Sequence, residues 1–118
     1  AAAVGGPPSR APAGAVLAFY GALERGDLDT AAALWSPRMK AQYPPAQFVY
    51  ERFRLTHEVA VRRAEVISVD QAAGRAVVAV DLIEISGDPP ATYHWVGTWE
   101  MTLGPAGWLL DQPNLAAA

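Results

Sequence analysis

The sequence contains no cysteine and only two histidines, His57 and His94. Without cysteine the chain can form neither a disulfide bond nor a thiolate metal site, and two histidines leave little for a histidine-rich one. The formal net charge is −3, and no basic stripe is present that would replace the counterions around phosphate groups. We therefore expect no metal site, no cofactor and no nucleic-acid partner.

Long apolar runs and several catalytic motifs are missing as well. No stretch approaches the roughly 20 apolar residues that a transmembrane helix requires. The sequence has no glycine-rich phosphate loop, no Gly-x-Ser-x-Gly turn and no His-Glu-x-x-His pattern. Function therefore has to be inferred from the fold and from individual side chains.

The composition is that of one globular domain. The chain has 118 residues, of which 52% are hydrophobic and 18% are charged, enough for a substantial core. Glycine and proline are concentrated near the start, which predicts a flexible linker or tail over residues 1–13. We interpret this segment either as a remnant of processing or as a tether to a membrane anchor. The domain is predicted to span residues 14–115, and residues 116–118 are predicted to form a short tail.

Two amphipathic helices joined at a sharp corner open the domain. Apolar side chains recur at helical spacing in both of them: Val16, Phe19, Tyr20 and Leu23 in the first, and Leu28, Ala31, Ala32 and Trp35 in the second. Gly26 can adopt the left-handed conformation that ends a helix, and Asp27 suits the N-cap of the next one. Ser36-Pro37 is predicted to end the second helix, because the residue before a proline avoids helical geometry.

A third helix and four strands are predicted to follow. Residues 36–45 are expected to be irregular, and Pro44-Pro45 is expected to open a helix that ends at His57-Glu58. Alternation and β-branched residues then predict strands over residues 59–69, 75–85, 92–103 and 108–111, with Pro113 ending the last. Helices followed by a four-stranded antiparallel meander make an α+β domain in which the helices pack on one face of the sheet.

The helical corner and the last hairpin resemble a known fold family. The corner reads Phe19-Tyr20-Gly-Ala-Leu-Glu-Arg-Gly26-Asp27 and leads to Ala33-Leu34-Trp35. This pattern resembles the opening of the nuclear transport factor 2-like superfamily, which includes ketosteroid isomerases and SnoaL-like polyketide cyclases. The closing segments Gly97-Thr-Trp99 and Gly107-Trp108 look like the last hairpin of its bacterial extracytoplasmic members. The resemblance implies a cone in which three N-terminal helices pack on a curved antiparallel sheet of about four strands.

The catalytic residues of the isomerases in this superfamily are not matched. The resemblance implies a tyrosine donor on the first helix, seven residues before the Gly-Asp pair, and that position here is Phe19. It also implies an aspartate base before a proline, and the comparable residue is Tyr43, a poor base because the pKa of tyrosine is about 10. Isomerase activity is therefore not expected.

A curved sheet over helices should leave a pocket between them. Asp81 lies in an otherwise apolar row of the second strand, and two placements are open for it. If the row faces the pocket, Asp81 could act there as an acid or base. If the row faces outward, Asp81 is an exposed or partnered strand residue. Asp111 is expected to brace a turn. Six aromatic residues are predicted to line a ligand pocket: Tyr20, Trp35, Tyr43, Phe53, Trp95 and Trp99. The alternative for each of them is ordinary core packing.

Two functions compete at this stage. The first is a non-catalytic domain of an exported or membrane-tethered bacterial protein, which binds a hydrophobic small molecule or serves as a scaffold. The alternative is a small cofactor-free enzyme of the isomerase, dehydratase or cyclase type, with Asp81 as acid or base and Tyr20 or Tyr43 as hydrogen-bond donor. We favour the first and expect an extracytoplasmic location. Either is compatible with a homodimer through the outer face of the sheet, predicted to use Val78, Val80, Leu82 and Val96.

Overall fold

The computed structural model describes residues 11–118. Three α-helices open this part of the chain: α1 (Ala11–Glu24), α2 (Leu28–Ala33) and α3 (Pro37–Gln42). None of the helices in these residues is long and apolar enough to cross a membrane. Of the predicted linker, residues 1–10 lie outside the described part, whereas Ala11 to Ala13 belong to α1.

The predicted corner between the first two helices is confirmed. Gly26 has a φ angle of 74°, the left-handed geometry that ends a helix without steric cost for glycine. Asp27 caps α2, because its carboxylate accepts hydrogen bonds from the Thr30 backbone N–H at 3.3 Å and from the Thr30 hydroxyl at 2.7 Å. The end of α2 is tied to the sheet, since the Leu34 carbonyl oxygen accepts from the Leu110 backbone N–H at 2.8 Å.

The stretch predicted to be irregular contains α3, so that prediction is wrong. Ser36 caps this helix: its hydroxyl accepts a hydrogen bond from the Met39 backbone N–H at 3.1 Å, and Pro37 occupies the first turn. The prediction that Ser36-Pro37 ends the second helix is also wrong, because α2 already ends at Ala33 and this pair starts the next helix instead.

The third predicted helix is shorter than expected and of a different type. Residues Ala46–Glu51 form a π-helix, in which the backbone N–H of Arg52 donates to the carbonyl oxygen of Gln47 at 3.1 Å. His57 and Glu58 do not end a helix but lie at the start of the sheet. Glu58 is paired there with Ile85, a residue distant in sequence, so local periodicity could not reveal this boundary.

One antiparallel sheet of four strands forms the rest of the domain. Its strands are β1 (Thr56–Asp70), β2 (Arg75–Ser86), β3 (Ala91–Gly104) and β4 (Gly107–Ala117). They lie in sequence order, each paired with the next, which confirms the predicted meander and the α+β class.

Strand β4 is longer than predicted. It continues through Pro113 to Ala117 and includes two of the three residues assigned to a C-terminal tail. Proline does not interrupt it because β4 is an edge strand of the sheet, with β3 as its neighbour on one side, so a missing N–H can face away from the ladder. The prediction that Pro113 ends the last strand is therefore wrong.

The core lies between the helices and the inner face of the sheet. Phe19 and Leu23 of α1 are each 1% exposed, and the row of β2 that faces the helices is equally buried: Val78, Val80 and Leu82. The assignment of these three valine and leucine residues to an outer dimer face is therefore wrong. Val96 lies on the outer face, where it pairs with Asp81.

Candidate functional site

A cavity of about 370 Å³ lies between the helices and the inner face of the sheet. This volume is within the range of roughly 300–1,000 Å³ that is typical of small-molecule sites. Its wall is mainly apolar and aromatic, with a few polar side chains. The lining residues are Phe19, Tyr20, Leu23, Trp35, Met39, Tyr43, Phe48, Arg52, Phe53, Val59, Leu82, Glu84, Trp95, Trp99, Pro113 and Leu115.

The structure places all six predicted aromatic pocket residues at the wall of this cavity: Tyr20, Trp35, Tyr43, Phe53, Trp95 and Trp99. Phe19 is central to their arrangement, because its ring lies edge-on to that of Tyr20 at 4.9 Å and to that of Phe53 at 6.3 Å. Such edge contacts fix the rings against one another. The aromatic wall is therefore packed ring against ring, and ligand binding by it remains a proposal.

The carboxylate at the cavity wall belongs to Glu84, not to Asp81. Glu84 is 2% exposed, and both of its oxygens are fully engaged. Oε1 accepts from Arg52 Nη2 at 2.8 Å and from Trp95 Nε1 at 3.1 Å. Oε2 accepts from Arg52 Nη1 at 3.0 Å and from the Thr56 hydroxyl at 2.7 Å. A bidentate ion pair with two further donors thus closes one part of the wall.

These contacts decide the charge state of Glu84. Burial by itself raises the pKa of this carboxyl, but the hydrogen bonds from Arg52 and Thr56 and the positive charge of Arg52 outweigh it. The net result is a pKa below the ordinary value of 4.5. Glu84 is therefore held as a carboxylate near neutral pH, paired with a permanently charged guanidinium.

Tyr20 forms the second polar feature of the wall. It is 5% exposed, and its hydroxyl oxygen accepts a hydrogen bond from Trp99 Nε1 at 2.9 Å. Burial raises the pKa of this hydroxyl well above its ordinary value, an effect that the Trp99 hydrogen bond only partly opposes. Tyr20 is therefore a neutral hydroxyl throughout the physiological pH range.

Asp81 lies on the outer face of the sheet and does not line the cavity. Its carboxylate is 2.7 Å from His94 Nε2 on the neighbouring strand, so it is a partnered surface residue. The sequence could not settle this placement because both rows of β2 are apolar. The row with Asp81 contains Val77, Ala79, Ile83 and Ile85, and the row with Glu84 contains Val78, Val80 and Leu82.

Sequence reasoning missed Arg52 and Glu84 as site residues. One signal was available, because Glu84 interrupts an apolar row of β2 just as Asp81 does. Arg52 had no such signal, since its contact with Glu84 depends on where the π-helix meets the sheet. Within residues 11–118, no group of three histidine, aspartate or glutamate side chains is placed to hold a metal ion.

Asp111, the other aspartate considered in the sequence, holds neighbouring elements together. It is 3% exposed, and its carboxylate accepts from the Ser36 hydroxyl at 2.6 Å, Arg38 Nε at 3.1 Å and Arg75 Nη1 at 3.2 Å. Asp111 therefore joins the start of α3 to strands β2 and β4, away from the cavity lining.

Comparison with known proteins supports the architecture. No protein-family model matches the sequence, and no curated protein sequence matches it. Among solved structures, the chain is similar to a provisionally assigned dehydratase of the nuclear transport factor 2-like family from Streptomyces avermitilis, with a TM-score of 0.60. The similarity covers 86% of this chain and 92% of the other, at 23% sequence identity. This chain has the nuclear transport factor 2-like fold.

The nuclear transport factor 2-like fold was the one implied by the helical corner and the last hairpin, so that resemblance is confirmed. The agreement concerns architecture, since a single fold of this kind hosts many unrelated functions. The extracytoplasmic location implied by the last hairpin stays a prediction.

The Arg52–Glu84 pair predicts a pH-dependent stability. Because the folded-state pKa of Glu84 is lowered, its contribution is complete above about pH 4.5 and is lost as the pH falls through the folded-state value. Glu84→Gln is expected to cost about 1–2 kcal/mol at pH 7. Urea unfolding at pH 7, 5, 4 and 3 should show this difference from the unmodified protein shrinking toward acid. A difference in stability that stays constant over that pH range would contradict a lowered pKa of Glu84 in the folded protein.

Proposed function

We propose that this domain binds a small, largely apolar molecule in the cavity of the cone and carries out no reaction on it. The observation that supports this most strongly is the state of Glu84. Among the lining residues it is the only carboxylate, and four donors from three side chains occupy its two oxygens.

A general base needs access to the substrate proton and a pKa near the working pH. Glu84 meets neither condition, because its oxygens are engaged and its pKa is lowered. Tyr20 does not supply a phenolate, since burial raises its pKa. Asp81, the acid or base of the catalytic alternative, lies on the opposite face of the sheet. The wall thus favours binding over proton transfer.

The charge of the wall favours an uncharged ligand. Arg52 and Glu84 are the charged residues of the lining, and they neutralise each other in a bidentate pair. A charged ligand would lose its hydration on entering an aromatic cavity without a free countercharge. A neutral, mainly apolar molecule meets no such penalty.

Native mass spectrometry of the purified protein tests this proposal. We expect an added mass that disappears on denaturing extraction, and the extracted molecule should remain chemically unchanged after prolonged incubation with fresh protein. Leu115→Trp introduces a bulky side chain at the lining and should reduce the added mass. Leu103→Trp makes the same change at an exposed position outside the lining and serves as the matched control.

Three outcomes are informative. If the added mass is lost in Leu115→Trp but kept in Leu103→Trp, the cavity is supported as the binding site. Conversion of the extracted molecule into a product would instead support the catalytic alternative. This outcome has to be tested because the similar solved structure is named as a dehydratase. A protein mass unchanged by denaturation would contradict small-molecule binding and favour a scaffold that binds another macromolecule.

Location and oligomeric state remain proposals from the sequence. Residues 1–13 have a linker-like composition, which supports an exported or membrane-tethered protein; fractionation of cells that make the full-length protein would check this. A homodimer through the outer sheet face would use residues such as Ile83 and Val96 rather than the buried row. The native mass spectrum would show one chain or two.

A further inference from the structure

The residues that line the cavity differ in exposure, and this difference locates its mouth. The fully buried ones form the deep end, which includes Phe19, Leu23 and Trp99. Five exposed or half-buried ones are called the mouth here: Tyr43, Phe48, Arg52, Trp95 and Leu115. The mouth is one continuous rim, because the rings of Tyr43 and Phe48 pack edge-on at 5.3 Å and both Arg52 and Trp95 donate to Glu84.

Polar groups at the deep end offer little to a ligand. Trp99 Nε1 donates to the Tyr20 hydroxyl oxygen at 2.9 Å, which leaves Tyr20 one proton to donate. Trp35 Nε1 has no partner within residues 11–118, but protein atoms cover it and it does not reach the cavity surface. An amide placed here would lose the hydration of its oxygen and of its N–H group for at most one hydrogen bond. The deep end therefore suits an apolar group.

Arg52 holds free donors at the mouth. Glu84 accepts two of its five N–H groups, at 2.8 and 3.0 Å, and the other three find no acceptor among the described residues. The guanidinium is also held from one side, since its Cζ atom lies 4.5 Å from the centre of the Phe53 ring. The Arg52 side chain is 41% exposed, so a polar group bonded to it keeps part of its hydration.

Tyr93 adds an aromatic surface beside the mouth, outside the cavity lining. Its ring is stacked with that of Trp95, with the ring centres 6.1 Å apart and the planes 14° from parallel. Trp95 is held in turn by its hydrogen bond to Glu84 at 3.1 Å. Because Tyr93 is 45% exposed, part of its ring is free to pack against a flat group of a ligand.

We propose that the ligand is an uncharged amphiphile, such as a fatty amide, whose chain fills the cavity while its amide stays at the mouth. The amide oxygen accepts from Arg52, and the amide plane packs on Tyr93. This proposal rests on the binding function above and specifies the class and orientation of the ligand. A cavity of about 150 Å³ holds benzene, so 370 Å³ leaves room for a chain of about eight carbons. A carboxylate head is disfavoured because Glu84 already balances the charge of Arg52.

Nuclear magnetic resonance of the protein with N-methyloctanamide tests the orientation. Intermolecular Overhauser effects should connect the N-methyl protons to the rings of Tyr93 and Trp95, and the terminal methyl protons to Phe19 and Leu23. The reverse pattern would place the amide at the deep end and overturn the proposal, while leaving the binding function intact. This measurement needs no substitution, so it does not depend on the folding of a variant.

Isothermal titration calorimetry tests the role of Tyr93. Tyr93→Ala should weaken the binding of N-methyloctanamide about three- to tenfold, the effect of one aromatic contact. Leu103→Ala is the matched control and should leave the affinity unchanged, because Leu103 is equally exposed and lies in the same row of β3, outside the lining. An unchanged affinity in Tyr93→Ala, or an equal loss in both variants, would overturn the assigned contact.

Octanoate has the same chain and separates the two classes of head group. It should bind more weakly than N-methyloctanamide at pH 7. Equal or tighter binding of octanoate would overturn the uncharged head and leave the binding function intact. Absence of binding by both probes would contradict the binding function as well.

Discussion

Replacing Gly97 by alanine is expected to destabilise the domain by about 3–5 kcal/mol. Gly97 lies in β3 with a φ angle of 149°, a conformation that side chains rarely adopt. A Cβ atom there would overlap the carbonyl oxygen of Asn114 and approach the Leu115 Cα atom to 3.0 Å. These are backbone atoms of the paired strand β4, so they cannot rotate away as a side chain would. Urea unfolding followed by circular dichroism measures the loss.

Gly14→Ala is the matched control for this experiment. Gly14 is an exposed residue of α1, and a Cβ atom added there meets no heavy atom within 4 Å. The same substitution should therefore stabilise the protein by about 0.5–1 kcal/mol, because alanine favours a helix over glycine. Equal effects at the two positions would show that the close approach of β4 to Gly97 is not what limits substitution.

Asp111→Ala is expected to destabilise the domain by about 2–4 kcal/mol. The substitution removes the shared acceptor of Ser36, Arg38 and Arg75 and leaves two cations beside a buried site. Ser36 is 1% exposed, so its hydroxyl proton cannot turn to bulk water. The two arginines are about half exposed and can do so, which keeps the expected loss below that of a fully buried ion pair.

Glu65→Ala is the control for Asp111→Ala, because it removes a carboxylate from an exposed ion pair rather than from a buried one. Glu65 pairs with Arg63 at the surface, where the two side chains are 58% and 57% exposed. Thermal unfolding should show a change within about 0.5 kcal/mol for Glu65→Ala and a large loss for Asp111→Ala. Similar losses for the two variants would mean that burial is not what makes the Asp111 contacts stabilising.

Local sequence signals were sufficient where a structure is specified by neighbours along the chain. Gly26 and Asp27 end one helix and cap the next through interactions within a few residues, so their roles were predicted correctly. The alternation in β3 likewise placed Trp95 and Trp99 on one face. The missed helix α3 also had a local signal, since Ser36-Pro37 is a good helix start that was interpreted only as a helix end.

The candidate site was only partly predictable. Tyr20, Trp95 and Trp99 were found because periodicity groups the aromatic side chains of α1 and of β3 on one face of each element. Asp81 was the wrong carboxylate, since β2 has two apolar rows and alternation shows that they face opposite sides without showing which side holds the helices. The Arg52–Glu84 pair joins residues 32 positions apart and has no local signature.

The sequence by itself determined the order of the four strands, the corner at Gly26-Asp27 and the aromatic faces, because propensity, capping and periodicity act over a few residues. Tertiary structure alone decided three things: which row of β2 is buried, that β4 continues past Pro113, and that Glu84 rather than Asp81 lies at the cavity. Each depends on which element packs against which, and such contacts gain their free energy from surfaces that meet only in the folded chain.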